Sequence, residues 1–238
     1  LAELLYNAML SEASTPANRG KVGGLGIGLG NLGSLALIVF ALQYEGANSD
    51  YALAFRFIAV IFLLAALPIT FFFVQKPETI HQQGGMLAVS TWNQLKKTRL
   101  YFKQHPNVPR FFVARYFYMI AVTTASTFAV LYGINTVGFT EKQMELVILL
   151  GILVAMPSAV LWGYLVDNVG PGHALKWNLV GWVLVLAGSV IIPLAHLNNQ
   201  LWWPLSVVTG FCFGGLWVAD RPLLIQLSPT NLGHMFGI

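Results

Sequence analysis

The stretch VGGLGIGLGNLGSLALIVFALQY, residues 22–44, contains no side chain that is charged at neutral pH. It lies between Lys21 and Glu45, and it is long enough to supply the ~20 apolar residues that an α-helix needs to cross the hydrocarbon core of a bilayer. Only 9% of the 238 residues are charged, whereas soluble proteins average about a quarter, and 56% are hydrophobic. The sequence therefore predicts a membrane protein.

Comparable uncharged gaps recur along the chain, beginning with the gap between Arg56 and Lys76. The longest gap, from Lys176 to Asp220, is interrupted by Pro193 and a polar run, so it is expected to hold two helices. An all-α, polytopic membrane protein is thus predicted. Its six transmembrane helices are expected at roughly residues 22–43, 52–74, 109–133, 144–166, 174–195 and 201–221.

The distribution of basic residues predicts the orientation, because lysine and arginine are retained on the cytoplasmic side of short loops. Successive helices alternate in direction, so the loops form two sets, and all but Lys142 and Arg56 of the 13 Lys and Arg residues fall in one set. That set includes the polar segment 75–108, which is therefore expected in the cytoplasm. The net charge of +4 thus reflects topology, and it indicates contact with the lipid bilayer and not with nucleic acid.

The segment 75–108 is the one long polar stretch of the sequence. Its apolar residues recur at roughly helical spacing, while Lys96, Lys97, Arg99 and Lys103 share the remaining face. A basic amphipathic helix on the anionic inner leaflet fits this pattern. A linker helix packed on the protein's own cytoplasmic face fits it equally well, so both interpretations stay open.

Residues that carry out chemistry are sparse. The single cysteine, Cys212, lies inside a predicted span, where it is expected to act as a small apolar residue. The five histidines lack the spacing of metal ligands, and the carboxylates are few and scattered. We therefore predict no metal site, no cofactor and no catalytic residue, and the sequence does not favour an enzyme.

A loop after the fourth predicted span carries a motif. Gly163-Tyr-Leu-Val-Asp167-Asn-Val-Gly170, with Lys176 beyond it, resembles the G-x-x-x-D-x-x-G loop that Major Facilitator Superfamily members place between helices two and three and between helices eight and nine. Gly163 lets helices approach closely, Asp167 can cap a neighbouring helix or pair with an arginine, and Gly170 permits a tight turn. The resemblance implies a cytoplasmic gate. It departs from the pattern at Asn168, where many members carry Arg or Lys.

The resemblance extends to the organisation of the chain, because a cytoplasmic connector joins the two six-helix halves in this superfamily. The two spans before the connector are then the fifth and sixth helices, and the four after it are the seventh to tenth. The chain ends read as the tail of one helix and the opening of another, so a fragment of a twelve-helix fold is expected. Its parts are the end of a helix and a loop (1–21), the fifth and sixth helices (22–74), the connector (75–108), the seventh to tenth helices (109–221), and a loop with the start of the eleventh (222–238).

A narrower resemblance covers most of the chain. Several stretches are similar to the autophagy-related vacuolar amino-acid exporter family and its bacterial permease relatives, which implies a secondary carrier and amino-acid export. These stretches are Tyr6–Leu10, Thr15-Pro16, Arg19–Gly26, Ala114–Tyr118, Gly214-Gly215, Arg221, Leu227–Pro229 and Phe236-Gly237.

Two departures from that family concern ionisable groups. Ile120-Ala121 stands where members often carry an Asp-Gly pair, which removes an intramembrane carboxylate. Asp220-Arg221-Pro222 stands where a Ser-Arg-Ser is common. Asp220 and Arg221 could pair with each other or across the bundle, and we add both to the predicted cytoplasmic gate.

Polar residues inside the seventh helix are candidates for solute contact, since carriers bind near the bilayer midplane. The charge of Arg115 could snorkel to the headgroups, bind a carboxylate or act in a gate. The hydroxyl groups could bond their own helix backbone or meet a solute. The substrate-binding candidates on this helix are Arg115, Tyr118, Thr123 and Ser126.

The glycine-rich start of the first span has two interpretations. Gly28 to Gly33 spells the G-x-G-x-x-G pattern of dinucleotide-binding loops, but that fingerprint follows a buried strand, and the residues before it are polar here. The glycines also form G-x-x-x-G pairs, which let membrane helices meet backbone to backbone. Asn31 is the polar group here that could contact a solute. A helix-packing face is predicted at Gly24, Gly26, Gly28, Gly30 and Gly33.

These features favour a secondary active or facilitative transporter that moves a small-molecule solute by alternating access. A coupling proton is a candidate partner. The alternative is a non-transporting polytopic receptor or scaffold, which would not need the glycine-rich helix or the gate-like loop. A bacterial inner membrane and a vacuolar membrane both fit, so the compartment stays open.

Overall fold

The computed structural model describes residues 10, 14–45, 56–64, 67 and 102–227, and every regular element within these ranges is helical. The chain divides into two compact units, Leu1–Leu35 with Asn107–Ile238, and Ala36–Pro106. The predicted connector is described only from residue 102 onward. The features predicted for residues 1–9 and 228–238 lie outside the described residues.

Five long helices account for most of the described chain. α1 crosses from the first unit into the second, where residues 56–64 and 67 of the second predicted span are also helical. A π-helical turn, Gly133–Val137, extends α2, and a 3-10 turn, Asn199–Leu201, precedes α5. The helices are α1 (Arg19–Glu45), α2 (Asn107–Tyr132), α3 (Glu141–Val169), α4 (Pro171–Leu194) and α5 (Trp202–Leu227).

Among the described residues, four helices are long and apolar enough to cross a membrane: α2 with its π-helical turn, α3, α4, and α5 with its 3-10 turn. The predicted all-α, multi-pass membrane architecture is confirmed. The 27 residues of α1 cover the first predicted span, and at ~1.5 Å per residue they match the thickness of a bilayer.

The helices extend beyond the spans predicted from the charge gaps. The span expected at 144–166 is the helix Glu141–Val169, whose first turns contain charged residues. A capping box starts it: Gln143 N donates to Thr140 Oγ1 at 3.3 Å and Thr140 N donates to Gln143 Oε1 at 3.0 Å. A charge gap marks the hydrocarbon core, whereas the helix continues into the interface until a cap ends it.

Glycine and alanine bring α3 and α5 together over their length. A Cβ atom on Gly210 would lie 2.1 Å from Gly151 O, and one on Gly214 would lie 2.5 Å from Ala155 O. Such distances leave no room for a side chain, so the two backbones are in direct contact. The contacts advance in the same direction along both helices, which makes α3 and α5 parallel, as the alternating topology requires of the fourth and sixth spans.

Side chains of α3 and α4 donate to three consecutive carbonyl oxygens of α5. Trp162 Nε1 lies 3.0 Å from Phe211 O, and Asn178 Nδ2 lies 2.8 Å from Cys212 O. Ser158 Oγ shares its proton between Ala155 O of its own helix, at 2.9 Å, and Gly210 O, at 3.4 Å. All three donor side chains are buried. These bonds fix the register of α5 against both neighbours, and Cys212 itself is a buried free thiol.

Candidate functional site

Asp167 caps the N-terminus of α1. Its Oδ1 accepts from Gly20 N at 2.7 Å and its Oδ2 accepts from Lys21 N at 3.0 Å. The first N–H groups of a helix have no acceptor within the helix, and the helix dipole favours a negative charge there. Of the two roles that the sequence left open, the carboxylate is found in the capping one, and no arginine bonds to it within the part of the chain that is described.

The loop beside Asp167 is very short. Gly170 is the single residue between α3 and α4, and it adopts a φ of 92°, a left-handed conformation that glycine reaches without a Cβ penalty. Its N–H donates to Val166 O at 3.0 Å, and Pro171 opens α4 at once. This turn holds the last turn of α3, and with it Asp167, in place. Lys176 lies in the second turn of α4 with an exposed side chain.

A stripe of glycines on α1 lies directly against α3. A Cβ atom on Gly24 would lie 2.4 Å from Ala159 O, and one on Gly163 would lie 2.6 Å from Gly20 O. Gly28 follows one turn later, beside Met156 O. Successive contacts use rising residue numbers on α1 and falling residue numbers on α3, so the two helices are antiparallel. This agrees with the predicted alternation of helix direction across the membrane.

The observed glycine stripe differs from the predicted one. Gly24 and Gly28 belong to it, Gly26 is half-buried, and among the described residues nothing lies within 4 Å of a Cβ placed on Gly30 or Gly33. Gly20, which was not among the predicted packing glycines, extends the stripe by one turn. The reason is helical geometry: positions 20, 24 and 28 share one face, whereas positions 30 and 33 point elsewhere.

Lys21 makes a second contact between these helices that sequence reasoning missed. Its Nζ lies 5.0 Å from the centroid of the Tyr164 ring on α3, within the range of a cation–π interaction. Backbone and side chain of one residue therefore both hold the start of α1 to the end of α3. The signal in the sequence was the spacing of four between Gly20 and Gly24, which places Lys21 beside the stripe.

A second cluster joins α2 and α5. Asp220 is fully buried, and its carboxylate accepts from Arg115 Nε at 3.0 Å and 3.2 Å. The hydroxyl of Tyr118, one turn further along α2, also donates to Asp220. The side chain of Arg115 is 24% exposed. Arg115 and Tyr118, which were predicted to bind substrate, thus contact Asp220, which was predicted to act in the gate. The carboxylate that Arg115 binds in this structure belongs to Asp220 and not to a solute.

Arg221, the neighbour of Asp220, does not take part in the ion pair between Arg115 and Asp220. Its guanidinium carbon lies 5.8 Å from the centroid of the Trp217 ring. Asp220 and Arg221 are consecutive on α5 and therefore point to different faces of the helix. Of the two pairings considered from the sequence, Asp220 makes the one across the bundle.

The hydroxyl groups of Thr123 and Ser126 on α2 bond to their own helix. Thr123 Oγ1 donates to Met119 O at 2.6 Å, and Ser126 Oγ donates to Val122 O at 2.8 Å. Each acceptor lies four residues earlier, the usual back-bonding pattern of Ser and Thr in membrane helices. This is the structural alternative considered above, and it uses up the hydroxyl proton of both residues.

A cavity of about 640 Å³ lies within the first unit, bordered by parts of all five helices. Of the predicted substrate-binding residues, Asn31 and Ser126 line it, whereas Arg115, Tyr118 and Thr123 do not. Of the described residues that line it, none is charged and several are aromatic. The charged cluster between α2 and α5 and the cavity are therefore two distinct features of the described structure.

Comparison with known proteins adds a family. The family model for the Major Facilitator Superfamily matches residues 4–238. The uncharacterized MFS-type transporter YxiO of Bacillus subtilis (strain 168) is 21% identical over 247 residues, which cover 99% of this chain and 56% of that protein. The chain thus spans little more than half the length of this relative, and no solved structure matches it significantly. Since the family model covers almost the entire chain, the protein belongs to the Major Facilitator Superfamily.

Proposed function

We propose that this chain is part of a secondary active or facilitative transporter that moves small solutes across a membrane by alternating access. The family relation and the name of the Bacillus relative support a membrane transporter in general. The observation that carries the proposal is the contact of Asp167 with Gly20 N and Lys21 N, which ties the end of α3 to the start of α1.

This contact has the properties that a reversible latch needs. The two N–H groups and the carboxylate can bond to water when the helices part, so opening leaves no polar group unsatisfied. The glycine stripe beside it contributes no side chains of its own, so apart from the contact of Lys21 with Tyr164 little has to repack when α1 leaves α3. In each cycle a carrier must close and open its solute path toward one side of the membrane. We assign Asp167, Gly163, Gly170 and Lys176 to the gate on the predicted cytoplasmic side.

The Asp220 cluster is the second element of the proposed gate. It joins α2 and α5 near the ends that we predict to be cytoplasmic, through a carboxylate that is fully buried. Opening the ion pair between Arg115 and Asp220 would weaken the contact between α2 and α5. Coupling to protons is tested by the dependence of solute flux on a pH gradient.

The resemblance to vacuolar amino-acid exporters and their bacterial relatives suggests amino acids as the first solutes to examine, with export as the direction. The experiment is flux into and out of proteoliposomes that contain the full-length protein, measured for each amino acid with and without a pH gradient. Solute flux supports the proposal. A stably bound partner with no flux of any solute would instead indicate a receptor or scaffold.

The Asp167→Asn variant tests the latch. We expect the flux rate to fall about tenfold, because hydrogen bonds to a charged group are worth about 1.5–3 kcal/mol each. The dissociation constant of the solute should stay within about twofold, since the carboxylate does not line the cavity. Rates in proteoliposomes and equilibrium binding in nanodiscs provide the two readouts.

Asn168→Ala is the matched control, because Asn168 is the next residue and is exposed. Its flux should equal that of the unmodified protein. An unchanged flux in Asp167→Asn, or an equal loss in both variants, would overturn the assignment of Asp167 to the latch.

A further inference from the structure

We propose that Lys21 is a positioning residue of the gate on the predicted cytoplasmic side: its ammonium group, placed over the ring of Tyr164, sets how often α1 lies against α3. This inference rests on the proposed transport function and deepens it. It adds a pair of side chains to a gate that otherwise depends on the hydrogen bonds of Asp167 and on the glycine stripe.

Lys21 contacts α3 at two places. Its backbone N–H donates to Asp167 Oδ2 at 3.0 Å, and its Nζ lies 5.0 Å from the centroid of the Tyr164 ring. Tyr164 and Asp167 are three residues apart on α3, so they are neighbours on one face of that helix. One residue of α1 is thus held by two neighbours on α3, and both contacts break when α1 leaves.

Close backbone contact fixes the point from which the Lys21 side chain starts. A Cβ atom on Gly163 would lie 2.6 Å from Gly20 O and 3.2 Å from Lys21 Cα, so α1 passes directly over Gly163. The next residue of α3 is Tyr164. Cation–π attraction extends to about 6 Å from a ring centroid, so moving α1 several ångströms away from α3 weakens the pair. The pair therefore favours the closed gate.

The strength of the pair suits a contact that must form and break in every cycle. Tyr164 is 51% exposed, and cation–π attraction at exposed sites changes an equilibrium by about two- to fivefold. This is enough to shift the balance between the closed and the open gate without locking either. A carrier needs to visit both forms.

The side chain of Val166 provides a readout of the gate. Val166 is 3% exposed, and a Cβ atom on Gly20 would lie 2.9 Å from its Cβ atom, so the start of α1 lies directly on it. The experiment uses Val166→Cys in the full-length protein, with native cysteines such as the buried Cys212 changed to alanine. In nanodiscs, a water-soluble maleimide reaches this thiol when α1 has left α3. The initial rate of modification then measures the open fraction.

Two substitutions remove the pair. Lys21→Met takes away the charge and keeps a long side chain, and Tyr164→Leu takes away the ring and keeps apolar bulk. Both leave the backbone N–H groups that bond to Asp167. Each should raise the rate of modification about two- to fivefold. The double variant should raise it no further than either single variant, because the pair can be lost only once.

A second set of variants tests whether the electrons of the ring matter. Tyr164→Phe and Lys21→Arg keep a ring and a cation, so the rate should stay within about 1.5-fold of that of the starting protein. At position 164, 3,4,5-trifluorophenylalanine keeps the shape of phenylalanine but draws electrons from the face of the ring. It should raise the rate as much as Tyr164→Leu does, which a purely packing role of the ring would not produce.

Three further variants serve as controls. Lys142 is exposed at the other end of α3, and Tyr116 is exposed on α2. Lys142→Met and Tyr116→Leu should leave the rate of modification unchanged. Asp167→Asn should raise it, because this substitution weakens the hydrogen bonds from Gly20 N and Lys21 N.

An unchanged rate in Lys21→Met or Tyr164→Leu, effects that multiply in the double variant, or no effect of the fluorinated ring would each overturn the inference. Failure of the proposed function would look different, because modification is measured without solute and without flux. Faster modification in both single variants of a protein that transports no solute would support the pair and reject transport. Faster modification in Lys21→Met but not in Asp167→Asn would support the pair and reject the latch at Asp167.

Discussion

Replacing Arg115 with leucine is expected to destabilise the folded protein by about 3–5 kcal/mol, the usual cost of removing one partner from a buried ion pair. The variant would leave the carboxylate of Asp220 fully buried, with Tyr118 as its remaining hydrogen-bond donor in the described structure. The measurement is thermal unfolding of the full-length protein in detergent, together with its yield in the membrane fraction.

The reverse substitution, Asp220→Leu, is expected to cost less. The side chain of Arg115 is 24% exposed, so its long stem can carry the charge toward water when the carboxylate is gone. The double variant Arg115→Leu with Asp220→Leu should recover most of the stability, because it leaves no unpaired charge in the bundle. A double variant that is no more stable than Arg115→Leu would contradict this account of the cluster.

Replacing Gly24 with valine is expected to separate α1 from α3 and to abolish most transport. The new Cβ atom would lie 2.4 Å from Ala159 O, and both groups belong to backbone or sit directly on it, so neither can rotate away. Overfilling a close contact costs about 1–3 kcal/mol or more. Flux in proteoliposomes and the thermal unfolding temperature both report the effect.

Gly30→Val on the same helix is the matched control, since nothing lies within 4 Å of the position of its Cβ atom among the described residues. It carries the same change in helix propensity as Gly24→Val without the collision. Comparable losses in the two variants would mean that glycine flexibility, and not close contact with α3, is what α1 requires.

The sequence predicted the helices well because the bilayer imposes a simple rule. The hydrocarbon core excludes charge, so gaps such as that from Lys21 to Glu45 mark each crossing. Helix ends were less predictable. Thr140 and Gln143 start α3 through hydrogen bonds in the interface, where charged residues such as Lys142 are tolerated and the gap rule no longer applies.

The contacts between helices were harder to predict, because they depend on which faces meet. The glycines of α1 form several overlapping G-x-x-x-G pairs, and only the position of α3 selects Gly20, Gly24 and Gly28. In the same way, 105 residues separate Arg115 from Asp220, and nothing in either local sequence indicates the other. The cavity is a joint property of five helices and leaves no trace in any one segment.

The three donors that reach α5 restrict how the protein can move. Ser158, Trp162 and Asn178 contact consecutive carbonyl groups, so sliding α5 by one residue would break these contacts and leave the buried N–H donors of Trp162 and Asn178 without acceptors. Any motion that keeps these bonds carries α3, α4 and α5 as one rigid body. α1 lies outside that body, because it meets α3 through backbone contacts, the carboxylate of Asp167 and the contact of Lys21 with Tyr164, and not through side chains that bond to its carbonyl groups.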